Sequence, residues 1–106
     1  MTRVDMRYGL SEETIRRIIE VFSSYVEIEA AVLYGSRAKG NFKPGSDIDM
    51  VLKGPELNLK LLNKISIDLD DLLLPYTFDL SLYHQINNPD LIEHIKRVKK
   101  LFYKKG

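Results

Sequence analysis

The sequence contains no cysteine and only two histidines among its 106 residues. The lack of cysteine excludes disulfides, zinc–thiolate sites and catalysis by a thiol. His84 and His94 are ten residues apart, and no other histidine lies near either of them. We therefore expect surface or half-buried histidines rather than metal ligands.

Long apolar runs are missing as well. No stretch approaches the roughly 20 apolar residues that a membrane-spanning helix needs. Residues 1–10 are mostly polar and lack the apolar centre of a signal peptide. We therefore expect a cytoplasmic protein that does not enter a membrane.

Length and composition predict one small globular domain, residues 1–106. The chain is 44% hydrophobic and 29% charged, which is ordinary for a soluble domain. A core of this size leaves little room for a large pocket closed by the chain's own walls. The size therefore favours help from a partner chain, in a homo- or hetero-oligomer.

The net charge of +1 hides an uneven distribution. Residues 1–95 carry a net charge of −5, whereas residues 96–106 carry six basic residues and no acid. The basic residues are Lys96, Arg97, Lys99, Lys100, Lys104 and Lys105. A basic tail can bind nucleic acid or an acidic protein, or it can complement the dipole at a helix C-terminus. The helix interpretation is favoured because the segment has an apolar stripe, and nucleic acid is disfavoured because no aromatic stacking platform accompanies it.

Hydrophobic periodicity predicts the secondary structure. Helices are expected from Ser11, over residues 58–73 and over residues 90–105, because apolar residues recur there at helical spacing. The stripe of the last helix is Leu91, Ile95, Val98 and Phe102. Strands are expected at residues 30–34, 48–52 and 77–83. The order α-β-loop-β-α-β-α predicts an α/β (α+β) fold, with a three-stranded mixed sheet flanked by helices.

Two features of this pattern indicate phosphate and metal chemistry. Gly35-Ser36 follows the first strand directly, where glycine lets a phosphate approach the backbone and serine can donate to its oxygen. Asp47 and Asp49 lie two apart on a strand and so share a face, where they repel each other unless a cation lies between them. Oxygen ligands of this kind suit magnesium or manganese. The nearby cations Arg37, Lys39 and Lys43 add positive charge.

Topology can bring a third carboxylate to the same place. If helix 58–73 is a right-handed crossover, strand 77–83 runs parallel to strand 48–52 and Asp79 lies beside Asp47 and Asp49. An antiparallel arrangement is also compatible with the sequence.

The combination of these motifs resembles the nucleotidyltransferase superfamily that includes DNA polymerase β and the kanamycin nucleotidyltransferases. The resemblance is carried by residues 32–40 (VLYGSRAKG) and residues 45–51 (GSDIDMV). The Gly-Ser-Arg-Ala-x-Gly and Ser-Asp-x-Asp forms, together with the chain length, look most like the minimal nucleotidyltransferase (MNT) subgroup.

This resemblance implies the roles of the site residues. Gly35, Ser36, Arg37, Lys39 and Ser46 would bind the nucleotide, ATP. The carboxylates would bind metal, with two Mg²⁺ or Mn²⁺ ions implied, and would be the catalytic residues: Asp47, Asp49 and Asp79. The third of them would act as a metal ligand or as a general base.

The resemblance also implies a partner. Many minimal members are encoded beside a HEPN-domain protein, an RNase-like toxin, and act as its antitoxin by transferring AMP from ATP to one of its tyrosines. Two alternatives remain at this point. The chain could neutralise its partner by occlusion without catalysis, or it could modify a small molecule such as an aminoglycoside, which the lack of a second domain disfavours.

Overall fold

A computed structural model describes residues 6–106, in which four helices and six strands follow one another. In chain order they are β1 (Met6–Arg7), β2 (Leu10–Ser11), α1 (Glu12–Ser23), β3 (Ala30–Tyr34), α2 (Gly35–Lys39), β4 (Ile48–Lys53), α3 (Leu59–Asp70), β5 (Phe78–Leu82), α4 (Pro89–Val98) and β6 (Lys100–Lys104), with a 3-10 turn at Tyr83–Gln85 before α4.

Side-chain caps set the starts of the three long helices. The Ser11 hydroxyl accepts a hydrogen bond from the Thr14 amide before α1, at 3.1 Å. Asn58 and Asn88 cap α3 and α4 in the same way, and Pro89 occupies the first turn of α4. These caps satisfy backbone amides that have no partner inside the helix. The helix starts are therefore local properties of the sequence.

The central sheet has the strand order β5-β4-β3-β6. Its central pair, β3 and β4, is antiparallel, whereas β4 and β5 are parallel. The mixed sheet and the fold class are therefore confirmed, and the parallel arrangement of the strand that carries Asp79 is the one observed. Helix α3 supplies the crossover that a parallel connection needs.

The two faces of this sheet are buried by different helices. On one face, alternate residues such as Leu33 and Met50 join the main core with apolar residues of α1 and α3. On the other face, Val32 and Val51 pack with Ile95 of α4 in a smaller cluster. The small cluster leaves part of the second face free for a functional site.

The prediction of three strands and of a helix over residues 90–105 is wrong at the C-terminus. Helix α4 ends at Val98, and residues 100–104 form a fourth strand, β6, along the edge of β3. A bulge in this pairing, between Ala31 and Val32, leaves Phe102 as the extra residue of β6. Phe102 turns into the core and meets Phe22 edge-on, with ring centroids 6.3 Å apart.

Tertiary pairing outweighs the local pattern in this segment. The backbone of β3 would otherwise present unpaired amides and carbonyls at a sheet edge. The helical spacing of apolar residues cannot indicate this unpaired edge, because the edge belongs to β3 and lies outside the segment. Within residues 6–106, none of the helices has the length and apolar character that crossing a membrane requires.

The corrected C-terminus can be tested by stability. Phe102→Ala should lower the free energy of unfolding by about 3–5 kcal/mol, because it empties a core position that is 8% exposed. Leu101→Ala is the matched control and should cost little, since that side chain is 58% exposed. Urea denaturation measures both. Equal losses would contradict the position of Phe102 in the core.

Candidate active site

The backbone at the end of β3 lies against a carboxylate of β4. Tyr34, the last residue of β3, pairs with Asp49, and Gly35 follows with a φ of +74°. A methyl group placed on Gly35 would collide with Oδ2 of Asp49. A side chain at this position would therefore strain the left-handed backbone and would also displace the Asp49 carboxylate. The structure thus joins the Gly-Ser turn to the Asp-x-Asp motif directly.

The parallel pairing of β4 with β5 aligns two of the carboxylates. Asp49 and Asp79 are partners in the register of these strands, and Asp47 lies two residues before Asp49. Asp49 is half-buried, whereas Asp47 and Asp79 are exposed. All three carboxylates lie at the end of the sheet where α2 begins.

Burial and the charges of both neighbours change the pKa of the Asp49 carboxyl. Burial raises the pKa of its carboxyl above the ordinary value, and the nearby charges of Asp79 and Asp47 raise it further. This is the repulsion that the sequence predicts for clustered carboxylates. A cation at the site would offset that repulsion.

The donor set suits a hard divalent cation. The candidate ligands Asp47, Asp49 and Asp79 offer only carboxylate oxygens, which magnesium and manganese prefer. In the part of the chain that the structure describes, no three histidine, cysteine, aspartate or glutamate side chains are close enough together to hold a metal ion. The match between these residues and a divalent cation therefore rests on their oxygen ligands and on the negative charges of Asp79 and Asp47 near Asp49.

Two further side chains at the site were missed by the sequence interpretation. Tyr34 is 8% exposed, and burial, followed by the charges of Asp79 and Asp49, raises the pKa of its phenol. His94 of α4 meets the Tyr34 ring edge-on at 6.2 Å between centroids. The alternation of residues along β3 could have predicted the position of Tyr34, because its side chain lies on the same face of the sheet as that of Val32. The position of His94 depends on how α4 docks, which no local pattern reveals.

The side chain of Arg37 lies inside the protein. Its side chain is 2% exposed, and its guanidinium donates hydrogen bonds to the backbone oxygens of Ser46, at 2.9 Å, and Tyr8, at 2.8 Å. The rings of Phe42 and Tyr76 flank it, with centroids 5.2 and 4.9 Å from the guanidinium carbon. A direct contact of Arg37 with a nucleotide stays a prediction, and in this structure backbone oxygens accept hydrogen bonds from its guanidinium. Through Ser46, Arg37 fixes the chain next to Asp47.

The other predicted nucleotide-binding residues surround the same turn. Ser36 is half-buried in the first turn of α2, and Lys39 is exposed at its end. The Ser46 hydroxyl accepts a hydrogen bond from the backbone amide of Lys43, at 2.8 Å, and so shapes the loop before Asp47. Ser36 and Lys39 thus remain accessible to a ligand, whereas Ser46 helps to form the loop.

Residues 16–106 match the family model described as Polymerase beta, Nucleotidyltransferase. The chain therefore belongs to this nucleotidyltransferase family, as the Gly-Ser and Asp-x-Asp pattern predicts. No curated protein matches the chain significantly.

Solved structures show the same fold. A chain of a toxin–antitoxin crystal structure with AMP-PNP has a TM-score of 0.71 and 18% identity, covering 86% of this chain and 73% of that chain. A chain of the tri-AMPylated Shewanella oneidensis HEPN toxin in complex with MNT antitoxin has a TM-score of 0.66 and 16% identity, covering 89% and 72% of the two chains. At these identities the similarity establishes the fold.

The contact between Gly35 and Asp49 can be tested with a matched pair of glycines. Gly35→Ala should weaken Mg²⁺-dependent ATP binding strongly, because the new methyl group displaces the Asp49 carboxylate. Gly40→Ala is the control, since Gly40 also has a left-handed backbone, φ +89°, but an added methyl group there meets nothing within 4 Å. Both variants bear the backbone cost of roughly 1–2 kcal/mol. Calorimetry with ATP and magnesium should separate them, and equal affinities would refute the contact.

The raised pKa of Asp49 predicts a gain in stability when its charge is removed. A folded-state pKa above the unfolded value means that the folded protein binds more protons between the two values, so stability falls as pH rises through that window. Asp49→Asn should therefore be more stable than the wild type at neutral pH. The difference should vanish below the unfolded pKa of about 3.9.

Thermal unfolding at several pH values checks this expectation. Asp47→Asn is the control, and it should change stability less because Asp47 is exposed. A neutral-pH Tm of Asp49→Asn at or below that of the wild type would contradict the burial of a repelled carboxylate.

Proposed function

We propose that this chain transfers AMP from ATP to a tyrosine hydroxyl of a HEPN-domain protein and so acts as the antitoxin of that protein in the cytoplasm. The observation that carries the proposal is the close approach of Gly35 to Asp49, with Asp79 aligned beside it. A phosphate-binding turn and a cluster of carboxylates are the two parts that nucleotidyl transfer needs at one place.

Each residue has a distinct task in this proposal. Gly35 and Ser36 hold the triphosphate at the start of α2, and Lys39 provides a nearby positive charge. Asp47 and Asp49 are the residues that would hold Mg²⁺ or Mn²⁺, and Asp79 lies beside them. Bound magnesium would neutralise charge on the phosphates and favour loss of the acceptor proton.

The reaction makes one bond and breaks another. The tyrosine oxygen bonds to the α-phosphorus of ATP, the bond from that phosphorus to the bridging oxygen breaks, and pyrophosphate leaves. Asp79 accepts the proton of the tyrosine hydroxyl as general base. Its exposed position supports this role over Asp49, whose carboxyl is half-buried against Gly35.

The nature of the partner is supported by the structures with the same fold. One of them contains AMP-PNP, and another contains a tri-AMPylated HEPN toxin with MNT antitoxin. The exposed positions of Asp47 and Asp79 at the end of the sheet also support an acceptor provided by another protein.

Co-expression with the HEPN-domain protein encoded next to this chain tests the proposal. Mass spectrometry of the partner should reveal one or more AMP additions, and they should disappear with the double variant Asp47→Asn/Asp49→Asn. An unmodified partner that is nevertheless neutralised would favour occlusion. Modification of an aminoglycoside but not of the partner would favour a small-molecule acceptor.

Asp79→Asn tests the role of the third carboxylate. We expect transfer to fall by about 10²–10⁴-fold while ATP affinity changes little, because a general base acts in the chemical step. Asp71→Asn provides a matched control, as an exposed aspartate in the turn before β5. Transfer rates and calorimetric affinities are measured for both. A loss of affinity as large as that of Asp47→Asn would make Asp79 chiefly a ligand, and normal transfer would exclude any catalytic role.

A further inference from the structure

Helix α4 covers only part of its sheet face and leaves a groove beside its C-terminal end. Its buried residue Ile95 packs against Val32, Tyr34 and Val51. Beyond Val98 the chain leaves the helix to form β6, and a cavity of about 320 Å³ opens there. The cavity is lined by Ala30, Val32, Lys53, Lys99 and Leu101. We call these five residues the β6 groove.

We infer that the β6 groove is a docking site for an acidic, partly apolar segment of the protein partner. The inference rests on the proposed function for the identity of that partner, which is the protein that carries the acceptor tyrosine. Three features of the groove carry it, namely its apolar surface, its cations without a carboxylate partner and its position beside the carboxylates.

The apolar surface is a consequence of the bulge in β6. The same irregularity that turns Phe102 into the core leaves Leu101 paired with Val32 on the α4 side of the sheet. Leu101 is 58% exposed there, among the most exposed large apolar side chains of the described residues. Burying such a side chain in a complex is worth about 25 cal/mol per Å² of apolar surface removed from water. A phosphate backbone cannot provide that burial, which favours a protein over a nucleic acid.

Two ammonium groups border this apolar surface. Within residues 6–106, neither Lys53 nor Lys99 makes a salt bridge with a carboxylate. Lys53 instead holds its ammonium nitrogen 4.7 Å from the centre of the Tyr83 ring. A second cavity of about 280 Å³ adjoins at Lys53 and is lined also by Tyr83 and His84. Carboxylates on the partner would therefore meet, in the groove with Leu101, two cations that have no carboxylate partner among the described residues.

The groove lies on the same face of the sheet as the carboxylates and runs from Lys53 toward them. In the ladder between β3 and β4, Ala30 pairs with Lys53 at one end, and Tyr34 pairs with Asp49 at the other. Ala30 and Tyr34 are four positions apart, which is about 14 Å along the strand. Leu101 pairs with Val32, two positions from Tyr34, which is about 7 Å. A partner held in the groove can thus present its tyrosine at the neighbouring carboxylates.

The first test replaces the apolar residue. The double variant Asp47→Asn/Asp49→Asn is used as background, so that binding to the HEPN-domain partner is measured without transfer. Leu101→Ala should raise the Kd about tenfold or more. Leu59→Ala is the matched control, because Leu59 is 60% exposed on α3, which packs on the opposite face of the sheet. Thermal unfolding confirms that each variant is folded.

The second test removes the cations. Lys53→Gln with Lys99→Gln should slow association and make it less dependent on salt, because rim charges act mainly on the on-rate. Lys60→Gln with Lys64→Gln removes the same charge from α3 and should leave the rate nearly unchanged. Equal effects of the groove and control variants on binding would overturn the proposal, as would a wild-type chain that does not bind the partner.

Binding of either of two other molecules in the β6 groove would also overturn the proposal. A concentration-dependent dimer of this chain that Leu101→Ala abolishes would assign the groove to a second copy. Binding of single-stranded RNA that Lys53→Gln and Lys99→Gln abolish, with partner binding intact, would assign it to nucleic acid. Transfer with unaltered partner affinity in all groove variants would overturn the groove alone. Binding that depends on the groove without any AMP addition would overturn the proposed function alone.

Discussion

Backbone pairing of β4 with a strand on each side is the constraint on which the site depends. The antiparallel register with β3 places Asp49 against the turn at Gly35, and the parallel register with β5 places Asp79 beside Asp49. A slip of one residue in either ladder would turn a carboxylate from the site to the opposite face of the sheet. The buried side chains of Ile48 and Met50, which alternate with Asp49, hold β4 in this register.

The clustered carboxylates of the site reduce the stability of the folded chain. Three carboxylates lie near one another, and burial together with its neighbours makes ionisation of Asp49 less favourable. Burial and the charges of Asp79 and Asp49 also make ionisation of the Tyr34 phenol less favourable. Natural proteins retain such electrostatic repulsion at functional sites, because the clustered charges can bind a cation or a substrate there. Arg37 stabilises the surroundings from within, by tying the loop before Asp47 to the N-terminal segment.

The α4 face of the sheet is divided into two regions by the length of that helix. At one end are the carboxylates, with Tyr34 and His94 beside them, and the groove around Leu101 begins two residues along β3, at Val32, and extends to Lys53. A single bulge in β6 explains both the buried Phe102 and the exposed Leu101. Under the two proposals made above, chemistry and recognition would occupy neighbouring regions of one sheet face.

Local sequence determined the helix starts, the strands at β3, β4 and β5, and the candidate site. Caps at Ser11, Asn58 and Asn88 act within a few residues, and alternation places Asp47 and Asp49 on one face wherever that strand lies. Glycine at position 35 and the carboxylates could be singled out because their spacing along the chain matches the Gly-Ser and Asp-x-Asp pattern of the family.

Only the tertiary structure decided what residues distant in the chain do together. Residues 100–104 became a strand because β3 has an edge to be paired, although their apolar spacing suits a helix. Arg37 turned inward because Tyr8, Ser46 and two aromatic rings surround it. The parallel course of β5, and with it the place of Asp79, required the crossover through α3. These outcomes depend on partners that no local window of sequence contains, whereas propensity and periodicity act only within one segment.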